Sequence, residues 1–101
     1  MTLSKELLRI IEIIASKIKL FKNFEHIYLF GSSVKGVQFP QDIDLLIIYS
    51  TYCKEIVDDS YIIKQSLEAE MDVPIDLTIL SESELIDTRF LDMIGFYYMV
   101  K

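Results

Sequence analysis

The chain has 101 residues, of which 51% are hydrophobic and 12% aromatic, with a formal net charge of -6 and a single cysteine. This is enough apolar material for one packed core and too little chain for two, so residues 1–101 are expected to form one domain. The acidic balance argues against nucleic acid as a partner held by bulk electrostatics, and one cysteine excludes an internal disulfide. No apolar run reaches bilayer length, and the start of the chain is interrupted by Glu12, Ser16 and Lys17, so neither a signal peptide nor a membrane helix is predicted. A cytoplasmic location is therefore expected. Residues 1–35 nevertheless hold six of the ten basic residues and three of the sixteen acids, so the first helix is basic and the remainder strongly acidic.

Leu7, Ile10, Ile11, Ile14, Ile18 and Phe21 recur at steps of three and four, opposite a stripe of Lys5, Arg9, Glu12, Ser16 and Lys19. The spacing predicts an amphipathic helix over about residues 3–22. Leu8, Ile13 and Leu20 widen its apolar face. That face is read as given over wholly to the core, with a contact to a second chain, in a homo-oligomer or a complex, as the alternative. Asn23 to Glu25 break the pattern, and His26 to Phe30 read as a first strand. His26 stands at the end of that strand far from Gly31, which favours a surface role over a catalytic base.

Gly31 and Ser32 follow the strand, then a nine-residue stretch from Ser33 to Gln41, then Asp42-Ile43-Asp44 opening a second apolar strand. A glycine lets backbone amides approach a phosphate closely, and a serine hydroxyl can hydrogen-bond to it. Side chains alternate along a strand, so Asp42 and Asp44 share a face and repel one another unless a cation joins them. Gly31 and Gly36 have P-loop spacing, but Val37 and Gln38 stand where the P-loop lysine and hydroxyl belong. An EF-hand loop is excluded by the interleaved Ile43 and Leu45. Phe39-Pro40 predicts an extended approach to Asp42.

The run from Leu45 to Tyr49 is apolar throughout, as in a strand covered on both faces at the middle of a sheet. Glu55 to Met71 predicts a second helix with Ile56, Ile63, Leu67 and Met71 on one face. Cys53, at the turn before it, reads as packing. Asp72 ends the helix, and Ile75 to Leu80 make a third strand in which Asp76 is the one acid between apolar neighbours. Burying such a carboxylate is costly unless it is paired or binds metal. Ser81 and Glu84 form a capping-box pattern for a last helix through about Ile94, and Gly95 stops it. Phe96 to Val100 fits a short terminal strand or an exposed apolar tail.

A strand ending in Gly31-Ser32, a loop carrying Lys35-Gly36, Asp42-x-Asp44 on the next strand and Asp76 on a third together resemble the polymerase-beta-like nucleotidyltransferases, and among them the minimal nucleotidyltransferase family. Gln41 departs from the pattern, since a serine commonly precedes the first aspartate there. The resemblance implies an α/β fold, a small mixed β-sheet with flanking helices. It also implies that Asp42, Asp44 and Asp76 are the catalytic and metal-binding carboxylates, and that Gly31, Ser32, Ser33 and Lys35 bind the nucleotide.

The expected cofactor is Mg2+, a hard cation suited to carboxylates and phosphate oxygens, with room for two ions, and the expected substrate is ATP. By the same resemblance the function is AMP transfer to a hydroxyl on a partner protein. The chain would be the antitoxin of a pair whose toxin is an all-helical HEPN protein. The alternatives are a module that masks a partner by contact and a small-molecule nucleotidyltransferase of the antibiotic-modifying kind. The last usually needs an added helical domain, for which no residues remain.

Overall fold

The computed structural model describes residues 4–36 and 41–101. Its elements are α1 (Lys5–Ser16), a 3-10 turn (Ile18–Phe21), β1 (His26–Phe30), a second 3-10 turn (Gly31–Ser33), β2 (Ile43–Tyr49), α2 (Glu55–Met71), β3 (Ile75–Ser81), α3 (Glu82–Thr88), α4 (Phe90–Ile94) and β4 (Tyr97–Met99).

The strands make one mixed sheet in the order β3-β2-β1-β4, with β1 antiparallel to both β2 and β4 and with β2 parallel to β3. Alternation divides the side chains between two faces. Ile27 and Leu29, Ile43, Leu45 and Ile47, and Ile75 turn toward α1 and α2, where they meet Leu7, Ile10, Ile14, Ile56, Ile63 and Leu67 in the main core. Tyr28, Leu46 and Ile48 turn the other way and are covered more thinly by Leu85, Phe90 and Leu91 from α3 and α4. β2 is an inner strand, and Leu45 to Ile48 are all buried, as their unbroken apolar run predicts.

Two expectations are revised, and one left open is settled. The first helix ends at Ser16 rather than near residue 22, and the chain tightens into the 3-10 turn from Ile18 to Phe21. The shift from 3.6 to 3 residues per turn rotates Ile18 outward to 39% exposure and brings Phe21 fully inside. The last helix is two helices, because Arg89 takes a left-handed backbone (φ 53°) between them. That bend lets Phe90 turn onto the sheet, its ring edge-on to Phe30 with centroids 5.6 Å apart. Of the two readings of Phe96 to Val100, the strand holds: Tyr97–Met99 pairs with β1 as β4 and gives the sheet four strands. The extended approach through Phe39-Pro40 lies outside the described residues.

The capping box at Ser81 is formed in full: its Oγ accepts the Glu84 N–H at 3.1 Å, and the Glu84 carboxylate accepts the Ser81 N–H at 2.9 Å.

Candidate active site

The parallel register sets Asp44 opposite Asp76, and the antiparallel register on the other side sets Phe30 opposite Asp44. Phe30 in turn faces Tyr97 of β4. A single row therefore crosses all four strands, Asp76, Asp44, Phe30 and Tyr97, on the sheet face that α3 and α4 only partly cover. Asp42 lies just before β2 rather than within it, two residues from Asp44, and its side chain joins the same cluster. Each of Asp42, Asp44 and Asp76 offers a carboxylate oxygen, all within 4.8 Å of one another. Asp42 and Asp76 are exposed and Asp44 is half-buried, so the cluster opens to solvent.

The electrostatics are those of a half-buried acid set beside like charges. The Asp44 carboxyl is raised from 3.8 to about 6, first by burial, then by the charges of Asp42 and Asp76, and by a side-chain hydrogen bond with Asp76. Among the described residues no lysine or arginine forms an ion pair with any of the three. A cation held among the three would relieve the repulsion between their charges. The donor set suits a hard divalent ion. At metal–oxygen distances of about 2.0–2.1 Å, three oxygens within 4.8 Å of one another have to draw together to share one octahedral ion.

Gly31 follows Phe30 and runs directly beside Asp44. A Cβ built on Gly31 would fall onto the Asp44 Oδ2 and lie 3.0 Å from its Cγ, and the residue has φ +76°. Both the positive φ and the close approach require glycine here. Beyond it the chain makes a tight turn in which the Val34 N–H donates to the Gly31 carbonyl and the Lys35 N–H to the Ser32 carbonyl, each at 3.2 Å.

The sequence-predicted residues thus divide. Gly31, Asp42, Asp44 and Asp76 are brought together. Ser32 is half-buried on the turn and Lys35 is exposed just after it. Ser33 is buried, with its Oγ donating to the Phe30 carbonyl at 3.4 Å, so its side chain braces the turn rather than facing outward. His26 sits at the opposite end of β1, with Nδ1 3.3 Å from the Lys101 carbonyl oxygen, far from the acids. Cys53 packs against the main core. Sequence reasoning missed Phe30 and Tyr97 as neighbours of the acids. Their place in the row follows from strand order, which no local pattern carries.

Residues 10–92 match the family model described as polymerase beta, nucleotidyltransferase. No curated protein matches the chain in sequence. Among solved structures, a mutant of the MntA–HpeT toxin–antitoxin is similar with TM-score 0.60 and 19% identity, over 94% of this chain and 72% of that one. A Shewanella oneidensis complex of a tri-AMPylated HEPN toxin with its MNT antitoxin gives TM-score 0.57 and 18% identity, over 95% of this chain and 69% of that one. A toxin–antitoxin with AMP-PNP gives 0.58 and 20%, over 94% and 72%. At these identities the structural likeness speaks for the fold, a mixed four-stranded sheet with flanking helices of the polymerase-beta-like kind. The family match spans most of the chain and includes the glycine turn and all three aspartates: the chain belongs to the polymerase beta nucleotidyltransferase family.

Proposed function

We propose that this nucleotidyltransferase moves AMP from ATP onto a hydroxyl of a separately encoded, HEPN-type helical toxin, and so acts as that toxin's antitoxin in the cytoplasm, with residues 1–101 as one minimal domain. The observation that carries the reading is the open carboxylate cluster of Asp42, Asp44 and Asp76 pressed against the Gly31 turn. The fold relatives support the choice of partner, since one is a complex with a tri-AMPylated HEPN toxin and another holds AMP-PNP.

In this reading Asp42, Asp44 and Asp76 hold Mg2+, one ion or two. When bound, it supplies Lewis-acid stabilisation of the charge that builds on the phosphate oxygens. The chain's own residues do the rest. Gly31 brings the backbone of the turn close to the phosphates, Ser32 offers its hydroxyl to them, Ser33 keeps the turn in shape, and Lys35 neutralises phosphate charge. The acceptor hydroxyl oxygen bonds to the α-phosphorus, the bond from that phosphorus to the bridging oxygen breaks, pyrophosphate leaves, and the hydroxyl proton passes to the exposed Asp76 carboxylate. The open site suits a protein acceptor, because contacts between two protein surfaces can orient a hydroxyl without a deep pocket.

The test is co-expression with the protein encoded by the neighbouring gene, addition of ATP and Mg2+, and intact mass of both chains. One or more added AMP masses on the neighbour, lost with Asp42→Asn and Asp44→Asn, are expected. An unmodified neighbour in a tight complex would remove the transfer reading. A second reading, silencing by contact alone, draws on the exposed Met93, Phe96, Tyr97 and Met99 around α4 and β4. Full silencing in cells by an Asp76→Asn chain would favour it.

A further inference from the structure

Lys64 and Glu68 lie four residues apart on α2 and make the one ion pair found among the described residues, Nζ to Oε2 at 3.3 Å. With side chains 43% and 33% exposed, such a pair contributes little to stability by charge alone. Both partners instead reach the same residue of the sheet. Glu68 Oε2 accepts the Ile75 N–H at 2.9 Å, and Lys64 Nζ donates to the Ile75 carbonyl at 2.5 Å.

Ile75 opens β3, an edge strand whose one sheet neighbour among the described residues is β2. The Ile43 N–H donates to the Pro74 carbonyl across that ladder at 3.0 Å, so the N–H and carbonyl of Ile75 itself point to the open edge, where α2 takes both. The carbonyl held by Lys64 belongs to the same peptide plane as the N–H of Asp76. Gripping that plane sets the direction in which Asp76 leaves the strand. Asp76 then stands opposite Asp44, whose charge would push it away.

We propose that Lys64 and Glu68 are positioning residues for the acid cluster: by clamping Ile75 from α2, they hold the Asp76 carboxylate near enough to Asp44 for both to share one divalent cation. The inference rests on the metal reading of the three aspartates. Partners hydrogen-bonded directly to a metal ligand change metal affinity about 10-fold to 100-fold when lost, and a hold on the backbone beside the ligand acts one step further out, toward the lower end of that range.

The test is a titration of the full chain with Mn2+ alone, read by paramagnetic broadening of the Asp44 and Asp76 amide signals, with melting curves for every variant. Glu68→Ala should raise the half-broadening Mn2+ concentration about tenfold while remaining folded. Glu68→Gln, which keeps an oxygen to accept the Ile75 N–H, should recover most of the wild-type response. If Glu68→Ala proves unfolded, Lys64→Met is read in its place with the same expected direction. Wild-type affinity in the alanine variant would overturn the inference, and so would equal weakening in the alanine and glutamine variants, which would mean that the Glu68 charge acts through space rather than through its grip. Failure of the other kind is separate: if Mn2+ does not broaden these signals in the wild type, or Asp44→Asn changes nothing, the metal reading itself falls and the positioning role falls with it.

Discussion

Asp44 concentrates the conflict of this site in one side chain. Its carboxyl, pushed up to about 6 by burial and by Asp42 and Asp76, binds a proton more tightly in the folded chain than in the unfolded one. By linkage, a raised acid costs nothing below its unfolded value, and its penalty grows as pH rises through the folded value. Without metal, Asp44 should therefore be harmless below pH 3.8 and destabilising above about 6. The expected result is that Asp44→Asn, melted in the presence of a chelator, matches wild type at about pH 4 and exceeds it at about pH 8. A difference in melting temperature that ignores pH would mean that neither burial nor like charge raises Asp44 in the fold. Gly31 bears on the same side chain, because its missing Cβ is the space that the Asp44 carboxylate occupies.

At the scale of elements, the departures from regular helix all serve to aim side chains. Tightening after Ser16 exchanges Ile18 for Phe21 in the core. The bend at Arg89 turns Phe90 onto Phe30, the neighbour of Asp44 in the sheet. A left-handed backbone costs a residue with a Cβ about 1–2 kcal/mol, and glycine gives back part of that relief in unfolded-state freedom. Arg89→Gly should consequently stabilise the chain by about 0.5–1 kcal/mol in urea unfolding. Loss of stability would instead assign the bend to contacts made by the arginine side chain. Ser81 shows the opposite arrangement: the last residue of β3 is also the N-cap of α3, so strand and helix join with no intervening loop.

For the whole molecule, the sheet order places the acids where two strands meet at an open face. The parallel pair of β2 and β3, joined through α2, brings Asp44 and Asp76 together, and the antiparallel β1 delivers the glycine turn beside them. Under the proposed function, three carboxylates assembled by the fold and absent as a cluster from the unfolded chain would make metal and nucleotide binding a stability term. Mg2+ with ATP, at a hundredfold excess over the dissociation constant, should stabilise the folded chain by about 2.7 kcal/mol. Asp42→Asn combined with Asp44→Asn should abolish that gain, and an equal rise in both proteins would place the ions elsewhere.

The amino-acid sequence by itself determined what depends on near neighbours. The period of α1 and α2, the capping box at Ser81, the buried run of β2, the glycine beside a serine and the two spaced aspartates are each settled within a few residues. Asp76 could be singled out as well, as the one acid in an apolar strand, although the burial cost that drew attention to it is not imposed by the fold, which leaves its side chain exposed. Only the tertiary structure decided the strand order, the alignment of Asp44 with Asp76, the pairing of the terminal stretch as β4, the turn that ends α1 early and the hold of Lys64 and Glu68 on Ile75. Most of these are contacts between residues distant in the chain. Their free energy depends on closing long loops and on what each side chain meets across the gap, and neither quantity is written in a local pattern. The early end of α1 belongs with them, since Phe21 leaves the helical track to reach a core built mostly by later segments.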